Sequence, residues 1–397
     1  MTMTGSPAVK TSRRKAKAGA EHEGAHAADE KAGGERLFDR ELEALPAELR
    51  WREWMLRVEA VIFAAAEPVM GKGLATSEGE LWQRQRKLMQ PAFARRGIPD
   101  LFGVMDGALD ELLTRWAEQS RRGRPVEVVS EASALTQELI FRCLFGGDLG
   151  ADAGALSAAL VEANEFINAA AWSFLPIPEQ IPTPRRIRFK RALATLDRVV
   201  YGAITRRRQR GVSEDTPDLL DRLLAASDEA GGMDDRQARD EIMTLFVAGH
   251  DTTAGALAWT LLLMAQHPAL ADQVAAADPS EAGGIVSRVI QESMRLYPPA
   301  WVIVRTPYEP DELCGYEVPK DAPLLISQWV VHRHPEVWPD PLRFDPDRWL
   351  PERSEGRPRF AYFPYGAGRR LCIGKPFADA AIARSVAAVC RRFRLEL

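Results

Sequence analysis

Apolar positions recur at helical spacing through most of the chain. Leu81, Leu88 and Met89 mark one face of a first amphipathic segment, with Trp82 and Arg86 one turn apart on it. Ser77, with Glu80 three residues later, has the form of a capping box and predicts where that helix begins. Further helices are predicted from Met105 to Arg121, Glu131 to Phe145, Gly154 to Phe174, Arg188 to Arg208, Arg236 to His267, Glu281 to Leu296 and Lys375 to Phe393. Between the last two lie Val302-Ile303-Val304 and Leu324-Leu325-Ile326, β-branched or apolar runs bounded by Pro, Gly and Asp, which read as strands. The pattern predicts a mainly α fold with a small β region.

Residues 1–36 carry Ala, Gly, Lys, Glu and His but few large apolar side chains, and read as a disordered tail. From 37 to 397 no linker, repeat or change of composition interrupts the pattern, so one body is expected there. Lys and Arg total 52 against 56 Asp and Glu, a net charge of -4, which gives no electrostatic footprint for nucleic acid. The basic residues Lys10, Arg13, Arg14, Lys15 and Lys17 are not followed by an apolar segment, so no secretory signal is read. The most apolar stretch, Ala254 to Ala265, is too short to span a bilayer, and no membrane span is expected. The four cysteines, Cys143, Cys314, Cys372 and Cys390, form no CxxC pair, zinc quartet or CxxCH motif. Such sparse usage suits a reducing, cytoplasmic compartment.

One cysteine stands in informative company. The segment Phe363-Pro364-Tyr365-Gly366-Ala367-Gly368-Arg369-Arg370-Leu371-Cys372-Ile373-Gly374 places three glycines around it, where the backbone can turn tightly and approach a flat ligand. A helix is predicted at once, with Pro376 in its first turn, so Cys372 lies beside a helix N-terminus that favours thiolate over thiol. A lone cysteine in a glycine-rich loop is usually just buried. Gly366, Gly368, Gly374 and Arg370 together reverse those odds, and the segment resembles the haem-binding loop of the cytochrome P-450 family. That resemblance implies haem b (iron-protoporphyrin) with Cys372 as axial ligand to the metal, and Arg370 pairing with a haem propionate. A thiolate so placed favours O–O cleavage. The family usually has Phe seven residues before the cysteine; here it is Tyr365.

Other motifs extend the resemblance. Ala248-Gly249-His250-Asp251-Thr252-Thr253 interrupts an apolar helix with weak helix formers, which predicts a local widening or kink. Asp251 and Thr252 match the family's acid-alcohol pair, which implies a catalytic role in relaying protons; His250 reads as structural. Glu292 and Arg295, three apart on one face, together with Arg348 match the family's structural triad. Trp82 and Arg86 match its propionate contact, and Arg305 matches another. Arg84, Lys87, Arg95, Arg96, Arg369 and Lys375 would cluster at the cysteine face, either as solvated surface or as a docking site.

The resemblance implies a monooxygenase inserting one atom of dioxygen into a hydrophobic small molecule such as a fatty acid, terpenoid or polyketide. No flavin or nicotinamide domain fits in the chain, so electrons would come from a ferredoxin- or flavodoxin-type donor with its NAD(P)H reductase. Candidate pocket residues are Phe246, Ala248, Ala300 to Ile303, Phe166 and Trp172. Relative to the family, the chain reads as shortened at both ends. A non-catalytic haem binder is the alternative, and the intact acid-alcohol pair favours the enzyme.

Overall fold

The structure, a computed structural model, describes residues 2–4, 66–146, 149–150, 152–171, 182–211, 217–229 and 231–397. Nine helices of at least nine residues carry the described part: α1 (Gly79–Met89), α2 (Phe102–Arg121), α3 (Val128–Phe145), α4 (Asp152–Ala171), α5 (Pro184–Arg210), α6 (Asp235–Gln266), α7 (Pro268–Ala276), α8 (Ile285–Leu296) and α9 (Lys375–Arg392). The mainly helical prediction is met, with strands confined to short pairs. Apart from Thr2–Thr4, which pairs antiparallel with Arg394–Glu396, the stretch expected to be a disordered tail lies outside the described residues, as does Trp172.

Contacts sort the chain into two units. Of the described residues, the first takes in those up to Ile303 together with Leu325–Leu397, and the second takes in Val304–Leu324. In the second unit, Asp311–Leu313 and Tyr316–Val318 form an antiparallel hairpin. Its tip places both Cys314 (φ 52°) and Gly315 (φ 83°) in the left-handed region, as a two-residue hairpin turn requires. Sequence pattern missed this hairpin, because Cys-Gly is not among the usual turn pairs.

The first unit is organised around α6. Asp234 caps it, accepting from the Gln237 amide at 2.7 Å, and Asp235 adds negative charge to the first turn. The helix packs against α3, α5, α8 and α9. Ile242, Met243 and Phe246 are fully buried, and Phe246 meets Phe141 edge-on at 5.3 Å. Burying each such side chain stabilises the fold by about 1.5–3 kcal/mol. Phe246 therefore belongs to the core, not to a substrate pocket as its apolar character suggested. The helix also runs unbroken through Ala248–Thr253, where a kink was expected. Thr252 Oγ1 turns back to the Ala248 carbonyl at 2.8 Å, and Thr136 of α3 donates to the His250 carbonyl at 3.3 Å. These hydroxyls serve the local carbonyls without breaking the helix.

Two other boundaries differ from the sequence pattern. Ser77 does not cap α1: the helix starts at Gly79, Glu78 occupies the cap position without a side-chain bond, and the buried Ser77 hydroxyl pairs with Gln85. Tertiary pairing outcompetes the local box. Just past the end of α6, Pro268 opens α7, a helix the pattern did not predict, as its first residue, where a missing N–H costs nothing.

Glu292 ties α8 to the segment that follows. Its carboxylate accepts two bonds from Arg295, each 2.9 Å, and others from Arg348 Nε at 3.2 Å, Trp349 Nε1 at 3.1 Å and the Asp345 amide at 3.0 Å. Arg295 spends its remaining donors on the carbonyls of His332, Pro341 and Arg343. Glu292 and Arg295 are wholly buried, so this is a saturated internal network, unlike a surface ion pair. His332, also wholly buried, accepts the Phe363 amide at 3.0 Å on Nε2 and so links the network to the cysteine loop. Burial lowers its imidazole from 6.5 to about 4, and the charge of Arg295 acts in the same sense.

Removing the carboxylate leaves two buried guanidinium groups unpaired. Glu292→Ala is expected to lose about 3–5 kcal/mol in urea unfolding. For His332 the folded pKa lies below the unfolded one, so its contribution is complete above pH 6.5 and declines as pH falls toward 4. At pH 5 the loss should be about 2 kcal/mol, and the difference in urea midpoint between pH 7 and pH 5 should shrink in His332→Gln.

Candidate functional site

Turns hold the cysteine loop before any ligand is considered. Gly366 N donates to Phe363 O at 2.9 Å, Leu371 N to Gly368 O at 3.2 Å, and Cys372 N to Tyr365 O at 3.0 Å. Gly366 (φ 73°) and Gly368 (φ 71°) adopt left-handed backbone that other residues resist. Gly374 differs from the expectation: its φ of -78° is ordinary, and it serves as the cap residue of α9. The Gly374 and Lys375 amides, at the start of that helix, favour the anion of the Cys372 sulfur. Although the residue as a whole is exposed, enough protein surrounds the sulfur for burial to push the thiol up; those two amides and the Arg86 charge pull it back down. The helix N-terminus therefore acts in the predicted direction but does not by itself outweigh desolvation.

Three of the remaining candidates converge on this sulfur or on one another. Arg86 of α1 is close enough to Cys372 for their charges to interact. Arg370 lies 4.7 Å from the Trp82 ring centroid, and its guanidinium holds the Glu78 carboxylate at 2.7 Å and the Ser77 carbonyl at 2.9 Å. Trp82 itself is mostly buried. Arg305, in the second unit, ends the strand Val302–Arg305 and donates to the Val304 carbonyl at 2.7 Å.

Asp251 and Thr252 lie on α6, apart from this cluster of contacts. With Ala248 and Trp259 they form the exposed stripe of a helix that is otherwise largely buried. His250 points the other way and bridges Ser133 Oγ on α3 (2.7 Å from Nε2) and Asp251 Oδ1 (3.0 Å from Nδ1). Gly249 sits so near α3 that a Cβ there would be 3.0 Å from Ile140. Ser133, Thr136 and Ile140 thus orient the polar segment, and nothing in their own sequence context signals it.

Tyr365 lies in the same loop. Its hydroxyl donates to Asp379 Oδ1 at 2.6 Å, and Lys375 reaches the other carboxylate oxygen at 2.5 Å while sitting 4.6 Å from the Tyr365 ring centroid. Burial, followed by the Asp379 charge, raises the phenol well above its ordinary value, so it remains a donor. Beside it runs a groove of about 580 Å³ lined by Arg95, Phe102, Leu371, Lys375 and Arg384 among others. Arg84, expected either on solvated surface or on a docking face, is half-buried and pairs with Asp228 at 2.9 Å.

A helical fold with this cysteine loop, a cationic and indole-bearing α1 beside it and a buried Glu-Arg-Arg network defines one class of protein. The cytochrome P450 family model matches residues 56–279 and 281–397. The chain is 35% identical to cyclooctatin synthase of Streptomyces melanosporofaciens over 83% of its own length and 74% of that protein. It is 30% identical to pentalenene oxygenase of Streptomyces avermitilis, over 84% and 75% respectively. A crystallised cytochrome P450 superposes with a TM-score of 0.74 at 24% identity, covering 84% of this chain and 78% of that one, a likeness of fold. The chain belongs to the cytochrome P450 family and is a haem-dependent monooxygenase. Its residues fit that cofactor: one sulfur served by two amides, and two guanidinium groups and an indole suited to carboxylates. Among the described residues no helix is long and apolar enough to cross a membrane.

The loop glycines are separable by experiment. Gly366→Ala and Gly368→Ala should each lower stability by about 1–2 kcal/mol in chemical denaturation, through left-handed strain. Gly374→Ala carries no such strain, and its Cβ would lie 3.9 Å from the Cys372 sulfur, so its stability should stay near that of the parent.

Proposed function

We propose that Cys372 would hold the iron of haem b, that Trp82, Arg86 and Arg370 would receive its carboxylates, and that Asp251 and Thr252 deliver protons during the hydroxylation of a terpenoid-type hydrocarbon. The observation that carries this reading is Cys372 fixed in the glycine turns immediately before α9, with Arg86 near enough for their charges to interact. Haem, when bound, supplies activation of dioxygen, and every other requirement falls to the protein. The two amides at the start of α9 stabilise negative charge on sulfur. Arg86 and Arg370 each offer a fork of donors to a carboxylate, and Trp82 adds a single indole N–H. Gly366 and Gly368 keep the loop free of side chains that would obstruct a flat ligand.

The exposed face of α6 supports the proton-delivery role. Thr252 Oγ1 is anchored on Ala248 O and retains acceptor capacity, while Asp251 is more than half exposed and can exchange protons with solvent. His250 holds Asp251 on one side, which makes it a positioning group. The terpenoid class rests on two relatives whose names refer to the terpenoid-derived cyclooctatin and pentalenene. Half-buried Val302 and Ile303 and exposed Ala300 and Trp301 offer apolar surface of the kind such a substrate needs. Electrons come from a ferredoxin- or flavodoxin-type donor with its NAD(P)H reductase in the cytoplasm, and exposed Arg95, Arg96 and Arg369 suit an acidic donor surface.

The reduced protein under carbon monoxide should show the red-shifted absorption of thiolate ligation, and Cys372→Ala should abolish it; an unchanged spectrum in that variant refutes the assignment. With a cyclised terpene hydrocarbon as substrate, Thr252→Ala should keep the spectrum and consume oxygen while forming at least tenfold less product per electron pair. Equal coupling in the variant and the parent would remove Thr252 from proton delivery.

A further inference from the structure

A short strap, Gly71 to Ser77, joins the helix that bears Asp251 and Thr252 to the helix that bears Trp82 and Arg86. Its backbone binds consecutive acidic side chains on α6: Lys72 N donates to Asp240 Oδ2 at 2.9 Å, and Leu74 N to Glu241 Oε2 at 2.8 Å. Arg239 completes the clasp, reaching Val69 O at 2.7 Å and Asp240 Oδ1 at 2.9 Å. The approach leaves no room for side chains. A Cβ at Gly71 would lie 2.1 Å from the Asp240 carboxylate, and one at Gly73 would lie 2.0 Å from Thr244 Oγ1 and 2.6 Å from Asp240 O.

The far end of the strap is as firmly tied. Gln85, on α1 between Trp82 and Arg86, donates to Lys72 O at 2.6 Å and accepts the Ser77 hydroxyl. The Ser77 carbonyl in turn receives Arg370 Nη2 at 2.9 Å, and that guanidinium stacks on Trp82. A continuous run of hydrogen bonds therefore leads from α6 through the strap to α1 and the cysteine loop. Its polar members are all buried: Glu241 is inaccessible to solvent, and Gln85, Ser77, Thr244, Asp240 and Arg239 are nearly so.

Burying carboxylates and a carboxamide is costly unless each is met by a donor, and apolar side chains would fill the same space without that demand. What the polar version adds is register. An apolar strap can slide along a helix, whereas two amides on two successive acidic side chains fit in one position. We propose that Glu241, Asp240 and Gln85 are positioning residues that, through the strap, fix Trp82, Arg86 and Arg370 in the geometry that retains haem. This rests on the reading of those three residues as carboxylate contacts. Burial raises the Glu241 carboxyl to about 8, so it keeps its proton at neutral pH, and glutamine is its close mimic.

The test follows haem passing from the reconstituted protein to excess apomyoglobin. Glu241→Ala and Gln85→Ala should each speed the loss about tenfold, while Glu241→Gln stays near the parent rate. Leu196→Ala, which opens a cavity in a part of the core outside the clasp, is the control for general destabilisation and should leave the rate within about twofold. Should Glu241→Ala fail to fold, Gln85→Ala carries the test alone. Parent-like loss from the alanine variants, or equal acceleration by Leu196→Ala, overturns the proposal. The carbon monoxide spectrum of the unsubstituted protein reports separately on Cys372, so a failure of ligation and a failure of the clasp are distinguishable.

Discussion

One buried carboxylate sets the frame in which the cysteine loop can exist. Glu292 neutralises Arg295 and Arg348 where water does not reach, and Arg295 spends its other donors on three carbonyls of the following segment. Each charge depends on the others, because a guanidinium in that interior without its partner would be too costly to retain. His332 carries this order onward: its carbonyl meets Arg295 and its ring accepts the Phe363 amide, nine residues before Cys372. The loop thus hangs from a polar network that has no freedom to rearrange piecemeal.

At the sulfur, two opposing effects are superimposed. Desolvation favours the neutral thiol, while the amides at the start of α9 and the nearby Arg86 favour the anion. Neither the helix terminus nor the cation alone decides the charge. A metal ligand can be deprotonated by the metal itself, so what the fold must provide is a site where a thiolate, once formed, has donors waiting. Tyr365, bonded away to Asp379, leaves those donors undisturbed.

Much of this was legible in sequence wherever the information is local. The spacing of Trp82 and Arg86, of Glu292 and Arg295, and the dense run from Phe363 to Gly374 encode their neighbours directly, because a turn or one helical turn fixes them. The long helices followed from periodicity to within a few residues, although the short α7 that opens on Pro268 was not predicted. What escaped was tertiary. Ser77 looked like a cap and is a partner of Gln85; Phe246 looked like pocket lining and packs on Phe141; Arg84 looked like a surface or docking charge and binds Asp228. The pairing of Lys72 and Leu74 with Asp240 and Glu241 spans nearly half the chain, and only two hints existed for it: alternating glycines, and adjacent acids in an apolar helix.

The missing side chains at Gly71 and Gly73 also bear on how this scaffold can diversify. Exchanging the segment before α1 for that of another sequence would succeed only if the graft brought glycine at both places, since the tethered Asp240 carboxylate opposes one and the α6 main chain the other. Natural or laboratory variation in substrate range should therefore accumulate elsewhere, in stretches whose main chain keeps its distance from α6.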